Sequence, residues 1–563
     1  MLILSCEDLT RLDDLQNMNL ELPQRKKPGK LSFSTDPAAL TKWLNDLPLI
    51  NTGKSLELID SALEQINALS IPAQNRLQTL ELFTPAVRCV TDALKKKFLG
   101  KQLPLKDNNL LYATQTLELC NKMAAGYRIL AEDLNGIARE QPQLAIALHR
   151  ALRYLSEILL TSYRIYIQYP AGLWKTINTL YAIADANNLA QQPVTDTTLK
   201  DALPSTIETV YKQILLLSLA CPYRLRQGET HLAYNTLINW AAASQLHRVG
   251  EEDAHGLFSI NLQSDNPPSY RALDNANTSD TDIRILDTKN MSGQIREHLT
   301  HNNAGDIDTL QRLMLAWGDM PKRQFTRHSQ HAPVKLVIGL SAIHRLALDP
   351  VQEKPENDDN IGDKHYLQDP TFESSTSFRT ETTYGQVFKQ PAAPDASILK
   401  GAYAADKPGS AHIESWKIAD ISAGGYCLLW DSEEASCAKV GELVALIEKD
   451  DIDPDKWQLG TIRRMKFTEQ RGLELGVQLL SPGAKAIWAH LCKEGVNTGD
   501  KMQGILLPEI RAIKIEASLL LPSLPFRTGS IATVEDGDQK NTVSLTRQLE
   551  NTGSFSQYHF TAV

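Results

Sequence analysis

The stretch Lys322-Arg323-Gln324-Phe325-Thr326-Arg327 lies where the chain changes its pattern. On its N-terminal side, apolar residues recur at spacings of three and four, as they do on one face of an α-helix. On its C-terminal side, Val334, Leu336, Ile338 and Leu340 alternate with other residues, and this alternation predicts a β-strand. The stretch therefore marks the boundary between a helix-rich half and a strand-rich half.

The bulk composition limits the class of protein. The chain has 563 residues, which is too long for one hydrophobic core, so we expect three or more domains. Its net charge of −9 argues against general binding to nucleic acid or to an acidic membrane, although a local basic pocket is allowed. Seven scattered cysteines without a CxxC pair indicate reduced thiols and a cytoplasmic location. No run approaches the ~20 apolar residues of a membrane helix, and the N-terminus does not resemble a signal peptide.

The helical half is predicted to be one all-helical domain of antiparallel hairpins over residues 37–245, after an extended lead-in over 1–36. Asp36 followed by Pro37 is typical of a helix start. The segment Thr52-Gly53-Lys54-Ser55 imitates the end of a phosphate-binding loop. Because the position that would need a glycine is Pro48, and because no strand precedes it, a polar turn and a helix start are the better interpretation.

The remainder divides into three segments, residues 246–320, 321–492 and 493–563. Residues 246–320 are expected to be a small mixed linker module, and the alternating runs after residue 321 predict strands at 412–430, 441–448, 457–466 and 472–480. Residues 349–411 are dominated by polar residues, proline and glycine, so we expect a disordered insertion. Residues 482–492 are predicted to be a short helix, and 493–563 a β-rich module. The fold class is therefore multidomain α+β.

Arg323 and Arg327 are the first candidate binding residues. A guanidinium is planar and permanently charged, so it stacks on a purine or binds phosphate oxygens through paired hydrogen bonds. Taken alone, the RxxxR spacing is short and common, and a solvated basic cluster is the better interpretation of an isolated pair. Arg463 and Arg464 lie on a predicted strand and could add to the same pocket, although at least one of them is expected to face solvent.

Asp420, Ser422 and Gly425 form the second candidate motif, DxSxxG. A carboxylate and a hydroxyl two residues apart on a strand lie on the same face, where they can hydrogen-bond a guanine edge. The glycine allows a sharp turn. Taken alone, this motif is equally typical of an ordinary Asp/Ser turn.

The order of the two motifs, with a strand between them and further strands after them, resembles the PilZ domain. The resemblance covers roughly residues 321–492 without the insertion, and it implies a six-stranded antiparallel barrel that binds cyclic di-GMP. It further implies that Arg323 and Arg327 stack on a guanine or bind phosphate, that Asp420 and Ser422 hydrogen-bond the ligand, and that Gly425 permits the turn. The insertion 349–411 departs from the family's short spacing, but each doubling of a loop's length adds only ~0.6 kcal/mol to its closure.

These observations lead to one favoured hypothesis and two alternatives. The favoured one is a cytoplasmic, non-enzymatic cyclic di-GMP receptor without a cofactor, whose helical domain binds an unknown protein partner. The first alternative is a nucleotide-independent scaffold with a degenerate barrel, and an enzyme is the least supported. His328, His331 and His344 lack acidic or thiol partners at ligand spacing, so solvated histidines are expected rather than a metal site.

Overall fold

The computed structural model describes residues 18–26, 33–196, 203–251, 256–271, 280–301, 307–318, 328–348, 413–430, 432, 434–448, 456–468, 470–493, 496–510 and 515–563. Within these residues the chain forms a helical domain, a small four-stranded sheet and two closed β-barrels. The predicted α+β class is therefore confirmed. The expected insertion at 349–411 lies outside the described residues.

The helical domain begins where the sequence predicted. Asp36 caps the first helix by accepting a hydrogen bond from the Ala39 backbone N–H at 3.0 Å. Asn51 does the same for Lys54 at 3.1 Å, so the loop-like segment after it is a helix start, as expected. The helices of this domain are α1 (Pro37–Asn45), α2 (Thr52–Ala68), α3 (Ala73–Phe98), α4 (Asp107–Leu134), α5 (Gln141–Arg164), α6 (Leu173–Ala186), α7 (Ile207–Leu219) and α8 (Glu229–Trp240).

Helix α5 is the centre of this domain. Eighteen of its residues are buried, including polar ones, so it is enclosed on all sides rather than amphipathic. Its buried Arg153 donates to the Asp196 carboxylate at 2.5 Å, and Asp196 lies on the short hairpin of β1 (Val194–Asp196) and β2 (Leu203–Ser205). The pairing offsets the cost of burying both charges.

A small module of strands and helices follows the helical domain. Its sheet has the order β3-β6-β4-β5 and contains β3 (Gln245–Arg248), β4 (Phe258–Asn261), β5 (Ser269–Tyr270) and β6 (Ile283–Asp287). Helices α9 (Lys289–His301) and α10 (Ile307–Ala316) come next. Trp317, just after α10, is fully buried and donates from its indole nitrogen to the Leu216 carbonyl at 2.8 Å. The end of this module is thus fixed to the helical domain.

The first barrel is the predicted six-stranded antiparallel one. Its strands close in the order β10-β11-β12-β9-β8-β7. They are β7 (His328–Ile338), β8 (Ile413–Ser422), β9 (Gly425–Trp430), β10 (Leu443–Ile447), β11 (Gln458–Thr468) and β12 (Gly472–Ser481). Every residue of β10 is buried, because Val444 packs in the core shared with the helical domain while Leu443 and Ala445 pack toward the second barrel. This accounts for its uninterrupted apolar sequence.

The C-terminal segment is a second closed barrel of six strands. They are β13 (Lys485–Lys493), β14 (Val496–Leu507), β15 (Ser518–Leu521), β16 (Ile531–Asp536), β17 (Gln539–Asn551) and β18 (Ser556–Ala562). The order β13-β14-β15-β18-β17-β16 repeats the connectivity of the first barrel strand for strand. The helix predicted at 482–492 is wrong: Ile487, Ala489 and Leu491 alternate toward the core of this barrel, which is the period of a strand. The second barrel therefore begins before residue 493.

Three bodies, the helical domain and the two barrels, are packed together. The backbone N–H of Phe467 on β11 donates to the Tyr166 carbonyl of the helical domain at 2.7 Å. Helix α11 (Leu340–Leu348) lies between the two barrels, and its His344 places Nε2 2.9 Å from the Ile487 carbonyl oxygen. The expectation of three solvated histidines is wrong for His344, which is fully buried, whereas His328 and His331 are exposed.

Candidate ligand-binding site

The DxSxxG motif forms the hairpin between β8 and β9. Ser422 pairs with Gly425, so Ala423 and Gly424 make a two-residue turn. The Ser422 hydroxyl donates to the Gly425 carbonyl at 3.2 Å, and the Leu479 backbone N–H donates to the Gly424 carbonyl at 3.1 Å. The backbone of the hairpin is thus hydrogen-bonded to β12, and this fixes the conformation of the turn.

Gly425 can be no other residue without a rearrangement. Its φ is +154°, a conformation that side-chain-bearing residues rarely adopt. A Cβ at this position would lie 1.9 Å from the Val477 carbonyl oxygen, well inside van der Waals contact. The glycine therefore allows β9 to approach β12 closely at the base of the turn.

Two β-bulges turn Asp420 away from the barrel interior. Ile418 pairs with the buried Leu428, and a regular strand would direct Asp420, two residues later, to the same interior face. The register shifts between Ile418 and Asp420, so Asp420 pairs instead with Cys427, on the opposite face. The neighbouring strand β7 has a matching shift between Ser329 and Ala332. Asp420 and Ser422, both half-buried, therefore share the outer face of the barrel.

Arg323 and Arg327 lie outside the described residues. The structure does describe the residue that follows Arg327: His328 opens β7 and pairs with Ile421, and Ser329 pairs with Asp420. The start of β7 and the end of β8 are thus adjacent in the barrel although the long insertion separates them in sequence. Of the five predicted site residues, the structure brings together Asp420, Ser422 and Gly425 and sets the beginning of β7 beside them.

Polar groups extend the outer face on the far side of Gly425. Gly425 pairs with Gln478 of β12, so Ser422 and Gln478 lie on the same face with a residue lacking a side chain between them. Adjacent strands are ~4.8 Å apart, so the backbones of Ser422 and Gln478 are separated by about 10 Å. Arg463 donates from Nε to the Gln478 side-chain oxygen at 2.8 Å. Ser422, Gln478 and Arg463 thus place polar groups on the outer face of the barrel beside Gly425.

The two arginines of β11 are each paired with a carboxylate. Arg464 donates to Glu474 at 2.9 Å, and Arg463 forms a two-pronged ion pair with Glu550 of the second barrel, with 2.8 Å between Nη2 and Oε2. Burial raises the pKa of Tyr426, and a hydrogen bond to Glu448 at 2.9 Å raises it further, so this hydroxyl stays protonated. The sequence contained no indication of Glu550, because a contact between two distant strands leaves no local pattern.

The described residues contain neither a cluster of metal ligands nor a helix that could span a membrane. Among the parts of the chain that the structure describes, no group of three or more His, Cys, Asp or Glu side chains could hold a metal ion. In the same residues, no helix is both long enough and apolar enough to cross a membrane.

Comparison with known proteins divides the chain into three matched segments. Residues 38–252 match a family model described as the N-terminal domain of the cyclic-di-GMP receptor FimW. Residues 257–486 match the model of its middle PilZ domain, and 487–563 match the FimW C-terminal β-barrel domain. The middle model includes strands β4 to β6 of the small sheet and helices α9 and α10 as well as the first barrel, whereas β3 lies in the N-terminal match.

One relative aligns over nearly the whole chain. The cyclic-di-GMP receptor FimW of Pseudomonas aeruginosa is 28% identical over 573 aligned residues, which cover 97% of this chain and 93% of the relative. No solved structure matched the chain. The similarity therefore includes all three bodies and the order in which they follow one another.

Proposed function

We propose, from the premise that residues 257–486 are a PilZ domain, that this protein is a cytoplasmic receptor for cyclic di-GMP without catalytic activity. The observation that carries the proposal is the register of β7 and β8, which sets His328 and Ser329 opposite Ile421 and Asp420. This pairing supports a single site made of Arg323, Arg327, Asp420, Ser422 and Gly425. The full-length relative, named a cyclic-di-GMP receptor, supports the choice of ligand.

The chemistry of the proposed residues fits a cyclic dinucleotide. Its two phosphates are bound well by the paired N–H donors of an arginine guanidinium. Its two guanines can stack on an aromatic ring or a guanidinium and can donate to hydrogen-bond acceptors. Arg323 and Arg327 would bind the phosphates or stack on a guanine. The Asp420 carboxylate would accept from the N–H groups of a guanine edge, and the Ser422 hydroxyl would add a further hydrogen bond. Gly425 would contribute by leaving room, because no side chain rises from its position.

The proposed output is a change in how the helical domain and the barrel are joined. Residues 319–327, which contain both arginines, connect Trp317 to β7. Trp317 is held to the helical domain through Leu216 and accepts from the Thr288 hydroxyl at 2.6 Å through its carbonyl. A ligand that binds one arrangement of this connection more tightly than another shifts the population toward that arrangement. The helical domain would then present a different surface to a protein partner.

Isothermal titration calorimetry with cyclic di-GMP tests the proposal. We expect saturable binding, and we expect Arg327→Ala and Asp420→Ala each to weaken it by about 1.5–3 kcal/mol, since each removes a hydrogen bond to a charged group. Arg464→Ala is the matched control, because the guanidinium of Arg464 is paired with Glu474. This variant should bind cyclic di-GMP with the affinity of the wild type. Absence of binding to the folded chain would favour the nucleotide-independent scaffold instead. Equal competition by GTP would also count against the proposed pocket.

A further inference from the structure

Arg463 occupies a position that a regular strand would not give it. On β11, Ile462 pairs with Val477 and Arg464 pairs with the next residue of β12, Gly476, so Arg463 is the extra residue of a β-bulge. Such bulges redirect a side chain and recur beside binding sites. The guanidinium of Arg463 consequently lies over the outer face of the barrel, next to Gln478.

The surroundings of this guanidinium connect the ligand face to the second barrel. Its Nε donates to Gln478, which pairs with Gly425 of the DxSxxG hairpin. Its two terminal nitrogens donate to the two carboxylate oxygens of Glu550, at the end of β17. The side chain of Arg463 keeps 35% of its surface exposed, so solvent and ligand can reach it.

We propose that Arg463 is an additional anion-binding residue of this site and that Glu550, from the C-terminal barrel, competes with the ligand for it. This inference rests on the proposed function. A carboxylate and a phosphate present similarly spaced oxygens to the fork of an arginine, so Glu550 occupies the place that a ligand phosphate would take. A bound cyclic dinucleotide lying across Gly425 would draw the guanidinium away from Glu550.

The competition gives the second barrel a direct response to the ligand. Glu550 begins the segment 550–554, which comprises the last two residues of β17 and the first three residues of its connection to β18. Within it, the Thr552 carbonyl accepts from Arg226 of the helical domain, and the Ser554 hydroxyl donates to Glu442 of the first barrel at 2.8 Å. All three bodies therefore meet at this segment. Loss of the ion pair with Arg463 would remove the contact between Glu550 and the first barrel.

The other interpretation of the ion pair is that it only joins the two barrels. The two interpretations differ in the sign of one comparison. If the pair only joins the barrels, Arg463→Gln and Glu550→Gln remove the same contact and must change ligand affinity in the same direction, or not at all. If Glu550 competes with the ligand, the two substitutions must change affinity in opposite directions.

The experiment measures the Kd of cyclic di-GMP for the full-length chain and its variants by calorimetry. Arg463→Gln should weaken binding by about 10-fold or more, because the ligand loses a charge-assisted hydrogen bond. Glu550→Gln should tighten binding by about 3- to 10-fold, because the carboxylate that competes with the ligand is removed. Arg463→Lys, which keeps the charge but loses the fork, should fall between the wild type and Arg463→Gln. Circular dichroism and thermal unfolding establish that each variant is folded.

A neighbouring ion pair controls for the change in net charge. Arg464→Gln and Glu474→Gln make the same charge changes on β11 and β12, and we expect each to alter Kd by less than about 2-fold because Arg464 donates to Glu474 and not to Gln478. Equal or same-direction shifts in the Arg463 and Glu550 variants would overturn this inference while leaving the receptor function intact. Failure of the wild type to bind cyclic di-GMP would overturn both.

Discussion

Replacing Gly425 by alanine should open the PilZ barrel locally at the β8–β9 hairpin. The new Cβ would lie 1.9 Å from the Val477 carbonyl oxygen, at a φ of +154° that alanine rarely adopts. The backbone strain alone costs about 1–3 kcal/mol, and moving β12 to relieve the overlap adds a similar amount. We therefore expect local stability to fall by on the order of 3 kcal/mol, a little more than a 100-fold change in the opening equilibrium.

Hydrogen exchange measured by mass spectrometry reports this opening strand by strand. The amides of β8, β9 and β12 should exchange about 100-fold faster in Gly425→Ala, while those of helices α3 to α5 should not change. Gly476→Ala is the control on the same strand pair, since its Cβ would meet one side-chain atom, Cβ of Arg464, at 3.3 Å. Exchange in β8 and β9 that matches the wild type would refute the claim that this glycine is required by the geometry of the turn.

Three further outcomes follow from the junctions and from the buried charges. Arg226→Ala should cost about 1–3 kcal/mol at segment 550–554, because the Thr552 carbonyl loses its donor, and faster exchange in that segment checks it. Trp317→Phe should leave the Leu216 carbonyl without its indole donor, and the exchange response of α7 to cyclic di-GMP should become smaller than in the wild type. Burial lowers the pKa of His149 from 6.5 to about 3. Between these two pH values the unfolded chain binds a proton at His149 that the folded chain excludes. Stability should therefore decrease as the pH falls from 6.5 toward 3. The urea midpoints measured at pH 7 and pH 5 should differ less in His149→Asn than in the wild type. An equal difference in the two proteins would count against this role of His149.

Local patterns in the sequence predicted those parts of the fold that local physics determines. The helix starts after Asp36 and Asn51 follow from side chains that cap their own backbone N–H groups. The apolar run of β10 follows from burial on both faces. Asp420, Ser422 and Gly425 could be identified as one turn motif, because the spacing of a turn is a short-range property, whereas the division of the predicted strand segment 412–430 into β8 and β9 could not.

Other features depend on contacts that are distant in sequence. The segment 482–492 is predicted to be a helix, yet its residues pair with those of β14 and β16. His344 is buried because the second barrel covers helix α11, which its neighbours in sequence do not indicate. The ion pair between Arg463 and Glu550 joins residues 87 positions apart on two different barrels. Such contacts become visible only when the strands are assembled.

The central claim is that one cyclic dinucleotide is bound between the start of β7 and the β8–β9 hairpin. A crystal structure of the full-length chain grown with cyclic di-GMP tests it most directly. The account predicts a single ligand that contacts Arg327 and Asp420 together on the outer face of the first barrel. A ligand that binds elsewhere, or that contacts Arg327 while Asp420 stays remote from it, would contradict the account.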